Sequence, residues 1–99
     1  MKYLEKEQDF DTLIKEELVL VDFYANWCGP CQRLSPILEE LSKIHKNLNI
    51  VKVDVDKFQN LARKYGIMSI PAIKIYKNGT LTKESVGYLD LEELEALIK

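Results

Sequence analysis

Two cysteines, Cys28 and Cys31, are the only thiols in the chain. A disulfide between residues this close closes too short a loop to stabilise a fold by much, and disulfide-built scaffolds usually carry four cysteines or more. One helical turn separates the two positions, so the sulfurs are within disulfide reach of each other. The pair therefore predicts thiol–disulfide chemistry through a redox-active Cys28–Cys31 disulfide.

The segments on either side indicate which sulfur reacts first. An apolar run over 18–24 predicts a buried strand, and a helix is expected to begin near Cys28 or Gly29. Free backbone N–H groups and the helix dipole favour negative charge at a helix N-terminus, so the Cys28 thiolate is stabilised. We expect Cys28 to attack a substrate disulfide, and Cys31 then to attack Cys28 and release the reduced substrate.

The dipeptide between the cysteines favours a reducing couple. Gly29 permits close approach of another backbone. Pro30 lacks an N–H that a first helical turn does not need, and it stiffens the loop. With few contacts to stabilise the Cys28 thiolate further, the dithiol is expected to give up its electrons readily. Exchange of this kind needs no cofactor.

A zinc site is one alternative use of the two cysteines. Zinc usually takes four ligands, and the only other good candidate is His45. The helical pattern places His45 beside Lys46 on a polar face and predicts that it is solvated. The sequence therefore predicts no metal site. A purely structural disulfide is the other alternative, and its short loop argues against it.

Short apolar runs alternate with helix-period segments, which is typical of an α/β domain. Pro36 is expected to kink the long helix after Cys31, and Asn47 is expected to end it in the left-handed conformation. The other predicted elements are a weak edge strand at 2–4, a helix over 8–16, a strand over 48–55, a helix over 58–65, a hairpin of strands 72–76 and 81–86 around Asn78-Gly79, and a last helix capped by Asp90.

The element order is therefore βαβαβαββα. Strands joined through helices are expected to run parallel, and the closing hairpin is expected to be antiparallel. The predicted fold class is α/β, with a mixed central sheet of about five strands flanked by four helices. A chain of 99 residues allows one domain, which spans 1–99.

The composition excludes several function classes. Fourteen basic and sixteen acidic residues give a net charge of −2, whereas nucleic-acid binders usually show a clustered basic excess. No apolar run approaches the roughly 20 residues of a transmembrane helix, and the first residues show no secretory signal. These features predict a cytoplasmic monomer without nucleic-acid or membrane partners.

The motif Trp-Cys-Gly-Pro-Cys at 27–31, after an apolar strand that contains Asp22-Phe23, closely resembles the thioredoxin family. The resemblance covers almost the whole chain. It extends to Val21-Asp22-Phe23-Tyr24-Ala25, Tyr65-Gly66-Ile67, Ile70-Pro71, Lys77-Asn78-Gly79 and Val86-Gly87. It implies the thioredoxin fold and an oxidoreductase that carries electrons and maintains cell redox homeostasis.

The resemblance also implies roles for two charged residues. Asp22 stands in an otherwise apolar strand, where an isolated carboxylate must be paired or protonated. The resemblance implies that Asp22 accepts the proton of Cys31 and that Lys52, on the neighbouring strand, is its partner. Desolvation is expected to raise the pKa of Asp22, which suits it to proton exchange near neutral pH. The alternative is a solvated charge on the strand.

Pro71 precedes a predicted strand, and the resemblance implies that its peptide bond is cis and that it lies against the cysteines. The backbone of Ile70 would then be free to pair with an extended substrate segment. An ordinary proline at the start of a strand is the alternative. Trp27, Met68 and Gly87 are expected to add an apolar contact patch around Cys28, although Trp27 and Met68 could instead belong to the core.

Three functions fit these residues. The first is a general protein-disulfide reductase whose partners are disulfide-containing proteins and a thioredoxin reductase or an equivalent enzyme. The second is an oxidase or isomerase of the same fold, which Pro30 and the lack of a secretory signal disfavour. The third is a binding module without turnover, which the presence of both thiols allows only as an additional role.

Overall fold

The apolar run Leu18–Tyr24 forms the central strand of a five-stranded sheet in a computed structural model that describes residues 1–99. Residues 18–23 are all buried, as expected of a strand covered on both faces. The elements follow in the order β1 (Lys2–Tyr3), a 3₁₀ turn (Glu7–Asp9) that leads into α1 (Phe10–Leu13), β2 (Leu18–Tyr24), α2 (Gly29–Ile44), β3 (Asn49–Asp54), α3 (Gln59–Lys64), β4 (Ala72–Lys77), β5 (Thr80–Val86) and α4 (Leu91–Ile98).

The predicted α/β class, the element order and the number of strands and helices are confirmed. The first helix is shorter than the predicted 8–16 segment, because part of it forms the 3₁₀ turn. None of the helices is both long and apolar enough to cross a membrane.

The strands lie in the order β1-β3-β2-β4-β5. β1 and β2 are parallel to β3, whereas β4 is antiparallel to β2 and to β5. β3 and β4 therefore run in opposite directions, and the prediction that all helix-linked strands are parallel is wrong for this pair. β4 therefore begins at the same end of the sheet at which β3 finishes. The only helix of this connection, α3, has six residues and spans about 9 Å at 1.5 Å per residue.

Two apolar clusters cover the two faces of the sheet. Phe10, Phe23 and Phe58 belong to the cluster on the side of α1 and α3. Leu20, Leu38 and Leu94 belong to the cluster on the side of α2 and α4. Because side chains alternate along a strand, Asp22 shares the face of Leu20 and lies on the α2 side.

Two turns differ in how well the sequence predicted them. The hairpin around Asn78 (φ 52°) and Gly79 (φ 86°) is confirmed. The left-handed stop at Asn47 is wrong, because Asn78 is the only non-glycine residue with positive φ. α2 ends at Ile44, with His45 as its C-cap. The His45 N–H bonds to the Leu41 carbonyl, and the His45 carbonyl accepts from the Leu48 N–H, so the chain turns without a left-handed residue.

Candidate active site

Cys28 is the N-cap residue of α2, in an extended conformation with φ −85° and ψ 111°. The backbone N–H of Cys31 donates a hydrogen bond to the Cys28 Sγ over 3.2 Å. The sulfur thus takes the capping position that a serine or aspartate oxygen usually fills. The predicted start of the helix is confirmed, and Gly29 and Pro30 form its first turn.

The two cysteines form a disulfide, and their Cα atoms are 5.2 Å apart. Both residues are buried, at 4% exposure for Cys28 and 3% for Cys31. Together with Ala25 they form a small apolar cluster against Tyr24, Val55 and Ile70. The redox pair is therefore held at the edge of the core, between the end of β2 and the start of α2.

The loop before β4 lies against the sulfurs. The Ile70–Pro71 peptide bond is cis, and the Cys28 Sγ lies 3.9 Å from the Ile70 carbonyl oxygen. The Gly87 N–H donates to the Pro71 carbonyl over 2.8 Å, which ties the loop to the end of β5. Ile70, which is distant from Cys28 in the sequence, is thus brought against the cysteines, and Pro71 and Gly87 follow it as neighbours of the site.

Trp27 is exposed over 71% of its surface, which excludes a core role. Its indole N–H donates to the Asp56 carboxylate over 2.8 Å. The loop that carries Asp56 is itself held by Asp54, whose side chain accepts from the backbone N–H groups of Asp56 and Lys57. Sequence reasoning did not identify Asp56, because an acidic residue in a polar loop carries no signal of its partner.

A groove of about 490 Å³ runs beside Cys28. Met68, on its rim, is 96% exposed, so this residue is not part of the core. Gly87 does not line the groove; its contact is with Pro71 behind it. The lining is mostly apolar and includes Trp27, Cys28, Pro30, Ile67, Met68 and Ile70.

Asp22 is completely buried, which excludes a solvated charge on the strand. Neither carboxylate oxygen has a hydrogen-bond partner, and the Lys52 Nζ is 3.7 Å from Oδ2. Burial raises the pKa of Asp22 from 3.8 to about 6, and the positive charge of Lys52 offsets part of that rise. The predicted burial of Asp22 and the predicted rise of its pKa are confirmed.

Lys52 is also buried, at 4% exposure, on the strand position paired with Asp22. Its ammonium donates to the Ser35 Oγ over 3.0 Å and lies over the rings of Tyr24 and Tyr3, at 4.7 and 5.4 Å from their centroids. Sequence reasoning did not identify Ser35. Its position four residues after Cys31 is the signal that could have found it, since such residues share one helix face.

His45 is not the solvated residue that the sequence predicted. It is partly buried, and its Nε2 lies 2.9 Å from the Glu95 carboxylate of α4. The prediction failed because α4 packs against α2, a contact that the sequence of α2 alone does not reveal. No group of three or more His, Cys, Asp or Glu side chains is placed to hold a metal.

The chain matches known proteins over nearly its full length. The family model described as Thioredoxin matches residues 2–99. The thioredoxin of Bacillus subtilis (strain 168) is 45% identical over 93 residues, which cover 93% of this chain and 89% of that protein. Thioredoxin 1 of Plasmodium falciparum (isolate 3D7) is 42% identical over 91 residues, which cover 91% of this chain and 88% of that protein.

Solved structures agree with the fold. The solution structure of the oxidised thioredoxin from Plasmodium falciparum superposes with a TM-score of 0.89 at 41% identity, over 99% of this chain and 94% of that one. The oxidised mitochondrial thioredoxin 3 from Saccharomyces cerevisiae superposes with a TM-score of 0.90 at 31% identity, over 99% and 92%.

Proposed function

We propose how the site works from the premise that this chain belongs to the thioredoxin family. The chain is a thiol–disulfide oxidoreductase that reduces protein disulfides by dithiol–disulfide exchange through Cys28 and Cys31. One observation carries the assignment of the nucleophile: the Cys28 Sγ caps α2 and accepts the Cys31 N–H. This donor and the helix dipole stabilise a thiolate at Cys28.

The reaction proceeds in two displacements. The Cys28 thiolate attacks one sulfur of a substrate disulfide, which forms a mixed disulfide and releases the first substrate thiolate. Cys31 then loses its proton and attacks the Cys28 Sγ. This step forms the Cys28–Cys31 disulfide and releases the second substrate thiolate. Two electrons pass to the substrate, and its two thiolates are protonated to thiols.

An insulin-reduction assay tests the two cysteine roles. The parent should reduce insulin catalytically with a dithiol as electron donor, and both Cys28→Ser and Cys31→Ser should lose turnover. Only Cys31→Ser should still form a mixed disulfide, because it keeps the nucleophile. Catalytic turnover by Cys28→Ser would contradict the assignment.

Asp22 is the proposed proton acceptor for Cys31, and Lys52 is its charged partner. Support comes from the burial of Asp22 on the α2 face, from its pKa of about 6, and from the Lys52 Nζ at 3.7 Å. A base with this pKa is largely ionised at neutral pH and can both take and return a proton.

The pH–rate profile of Asp22→Asn tests this role. The resolving step should slow in the variant, and the ionisation near pH 6 should disappear from its profile over about pH 5 to pH 9. Profiles of parent and variant that coincide over that range would contradict the role.

The groove beside Cys28 is the proposed docking site for substrate. The Ile70 backbone would pair with an extended segment of substrate, with Trp27 and Met68 as apolar contacts on either side. Gly29 and Pro30 would shape the loop between the cysteines. Pro71, whose nitrogen carries no hydrogen, offers the cysteines no competing donor, and Gly87 holds it in place.

An oxidase or isomerase of the same fold is the second candidate, and the reduction potential separates it from a reductase. Pro30 in the first turn of α2 favours a reducing couple. Equilibration with glutathione at known ratios should therefore place the potential on the reducing side, near that of reductants of this class. A value near those of the oxidising relatives would favour the second candidate.

The family implies disulfide-containing substrates and a thioredoxin reductase as partners. We propose that the chain carries electrons between them as a monomer in the cytoplasm, where thiols are kept reduced. Recharging of the oxidised protein by a thioredoxin reductase and its electron donor tests the partner. Cell fractionation and the size of the purified protein in solution test the location and the monomeric state.

A further inference from the structure

A second cavity, of about 190 Å³, reaches Cys31 by a route separate from the docking groove. We call it the Lys52 crevice. The groove and the crevice share no lining residue, so the nucleophilic sulfur borders one and the resolving sulfur borders the other. The crevice is lined by Tyr3, Tyr24, Cys31, Gln32, Ser35 and Lys52, among others.

The Lys52 ammonium donates a short hydrogen bond to Ser35 and forms only a longer ion pair with Asp22. Its Nζ lies 3.0 Å from the Ser35 Oγ, but 3.7 Å from the Asp22 Oδ2, which is beyond hydrogen-bond distance. Both carboxylate oxygens of Asp22 consequently lack a hydrogen-bond partner, although a buried cation lies beside them. The Ser35 hydroxyl thus holds the ammonium at a position from which its other N–H groups do not reach hydrogen-bond distance of the carboxylate.

The ammonium's other neighbours are two tyrosine rings and the Asp22 carboxylate. The rings of Tyr24 and Tyr3 cover it on the crevice side. The titratable groups that line the crevice beside Lys52 are these two tyrosines and Cys31, and the Asp54 charge acts on Tyr24. On the other side of β2, β4 places the apolar Ile73 opposite Asp22. Of the groups that contact the ammonium, the Asp22 carboxylate is the one that carries an opposite charge, and removal of the Ser35 hydroxyl leaves it as the ammonium's ion-pair partner.

We propose that Ser35 is a positioning residue for the resolving step, because its hydroxyl holds Lys52 out of hydrogen-bond contact with Asp22 and so keeps Asp22 able to take the proton of Cys31. This inference rests on the proposed role of Asp22. A direct ammonium–carboxylate hydrogen bond would favour the ionised carboxylate and weaken it as a base. The Lys52 crevice gives this end of the site access to solvent while a substrate occupies the groove.

Ser35→Ala tests the proposal through the titration of Asp22. Carboxyl-carbon NMR of the oxidised protein, in which neither cysteine titrates, should show Asp22 binding its proton roughly tenfold more weakly than in the parent. The resolving step at neutral pH should slow by roughly three- to tenfold in single-turnover measurements. An Asp22 midpoint that stays in place or moves to higher pH would overturn the proposal.

Two further variants separate positioning from a general effect on the helix. Ser35→Thr keeps the hydroxyl and should restore both the Asp22 midpoint and the rate. Ser42→Ala changes a serine of the same helix that lines a different cavity with Leu13 and Leu48, and it should leave both quantities unchanged. Failure of Ser35→Thr to restore the midpoint, or a matching shift in Ser42→Ala, would overturn the proposal.

Failure of this proposal is distinguishable from failure of the proposed role of Asp22. If Asp22→Asn alters the rate profile but Ser35→Ala leaves the Asp22 midpoint unchanged, the Ser35 proposal alone fails. If Asp22→Asn leaves the rate profile unchanged, the role of Asp22 fails. A midpoint shift in Ser35→Ala would then still support the positioning of Lys52.

Discussion

At the scale of single residues, Asp22 links the chemistry of the site to the stability of the fold. Its carboxylate is buried without a hydrogen bond, and its pKa rises from 3.8 to about 6 because burial penalises the charge. The folded protein therefore binds this proton more tightly than the unfolded chain does. The stabilisation is fully present below about pH 4 and is lost as the pH rises through about 6.

Comparison of the parent with Asp22→Asn isolates this effect from other titrations. Relative to the variant, the parent should lose about 2 kcal/mol of unfolding free energy between pH 4 and pH 7, the larger part of the total loss of about 3 kcal/mol that the pKa rise implies at about 1.4 kcal/mol per pKa unit. Urea unfolding of both oxidised proteins across this range measures the difference. If the unfolding free energies of parent and variant change with pH in parallel, the pKa of Asp22 is the same in the folded and unfolded states.

Met68 provides a residue-scale test of the docking groove. In a Cys31→Ser background, Met68→Glu should lower the yield of mixed disulfides with protein substrates several-fold, because it places a charge on a mostly apolar rim. The rate with a small aromatic disulfide, which needs no extended contact, should change little. Non-reducing electrophoresis and absorbance measure the two reactions. If the reactions with protein substrates and with the small disulfide decrease equally, the substitution has impaired the reactivity of Cys28 and not the docking of substrate.

The residues that the sequence could identify carry their own signal. Two cysteines at helical spacing and an acid in an apolar strand stand out from their surroundings, so Cys28, Cys31 and Asp22 were identified before the fold was known. Ser35 and Asp56 could not be identified, because a hydroxyl or a carboxylate in a polar segment is unremarkable until its partner is known. Their roles depend on Lys52 and Trp27, which come from other elements.

At the scale of elements, local patterns predicted strands and helices well and their directions less well. β2, the hairpin and the capped helix α4 follow from periodicity, the Asn-Gly turn and the capping box at Asp90. The reversed direction of β4 relative to β3 could not be predicted, because it depends on the path of the whole connection over 55–71 and not on the local pattern of either strand. The contact between His45 and Glu95 likewise depends on how two helices pack.

Gly87 provides an element-scale prediction at the end of β5. Its φ of +101° is one that side-chain-bearing residues rarely adopt, although a Cβ there would meet no atom within 4 Å. Gly87→Ala should therefore lower the unfolding free energy by about 1–2 kcal/mol through backbone strain alone. It should also reduce activity, because the Gly87 N–H holds the Pro71 carbonyl.

Gly79→Ala is the matched control for Gly87→Ala. Gly79 also has positive φ, at +86°, but it lies in the hairpin turn against Lys15. In denaturant titrations, Gly79→Ala should lose about as much unfolding free energy as Gly87→Ala. It should keep its insulin-reduction activity at temperatures at which the variant is folded. If both variants lose activity to the same extent, the loss is caused by lower stability and not by a change in the position of the Pro71 loop.

At the scale of the whole molecule, one sheet separates two apolar clusters that the chain must build together. Val53 belongs to the cluster under α1 and α3, and Ile75 belongs to the cluster under α2 and α4. β2 lies between their strands and contributes residues to both clusters. A domain of this size is expected to unfold in a single cooperative transition.

The losses of unfolding free energy caused by substitutions on the two faces should therefore be additive. Ile75→Val should lower the unfolding free energy by about 1 kcal/mol and Val53→Ala by about 2 kcal/mol. The double variant should equal their sum to within about 0.5 kcal/mol, since the two side chains share no cluster. Guanidinium unfolding monitored by Trp27 fluorescence and by circular dichroism measures this. A larger deviation from additivity would show that the two faces are energetically coupled. Two separate transitions would show that they unfold independently. The fold predicts neither result.

The separate linings of the groove and the Lys52 crevice have a practical consequence for protein engineering. On the proposed docking role of the groove, a different loop at residues 67–70 would change the substrates that bind and would leave every lining residue of the crevice in place. A substitution at Ser35 would instead change the lifetime of the mixed disulfide with a substrate and would leave the residues that bind the substrate unchanged. If both proposed roles hold, substrate choice and the lifetime of the mixed disulfide could be altered by substitutions in two cavities that share no lining residue.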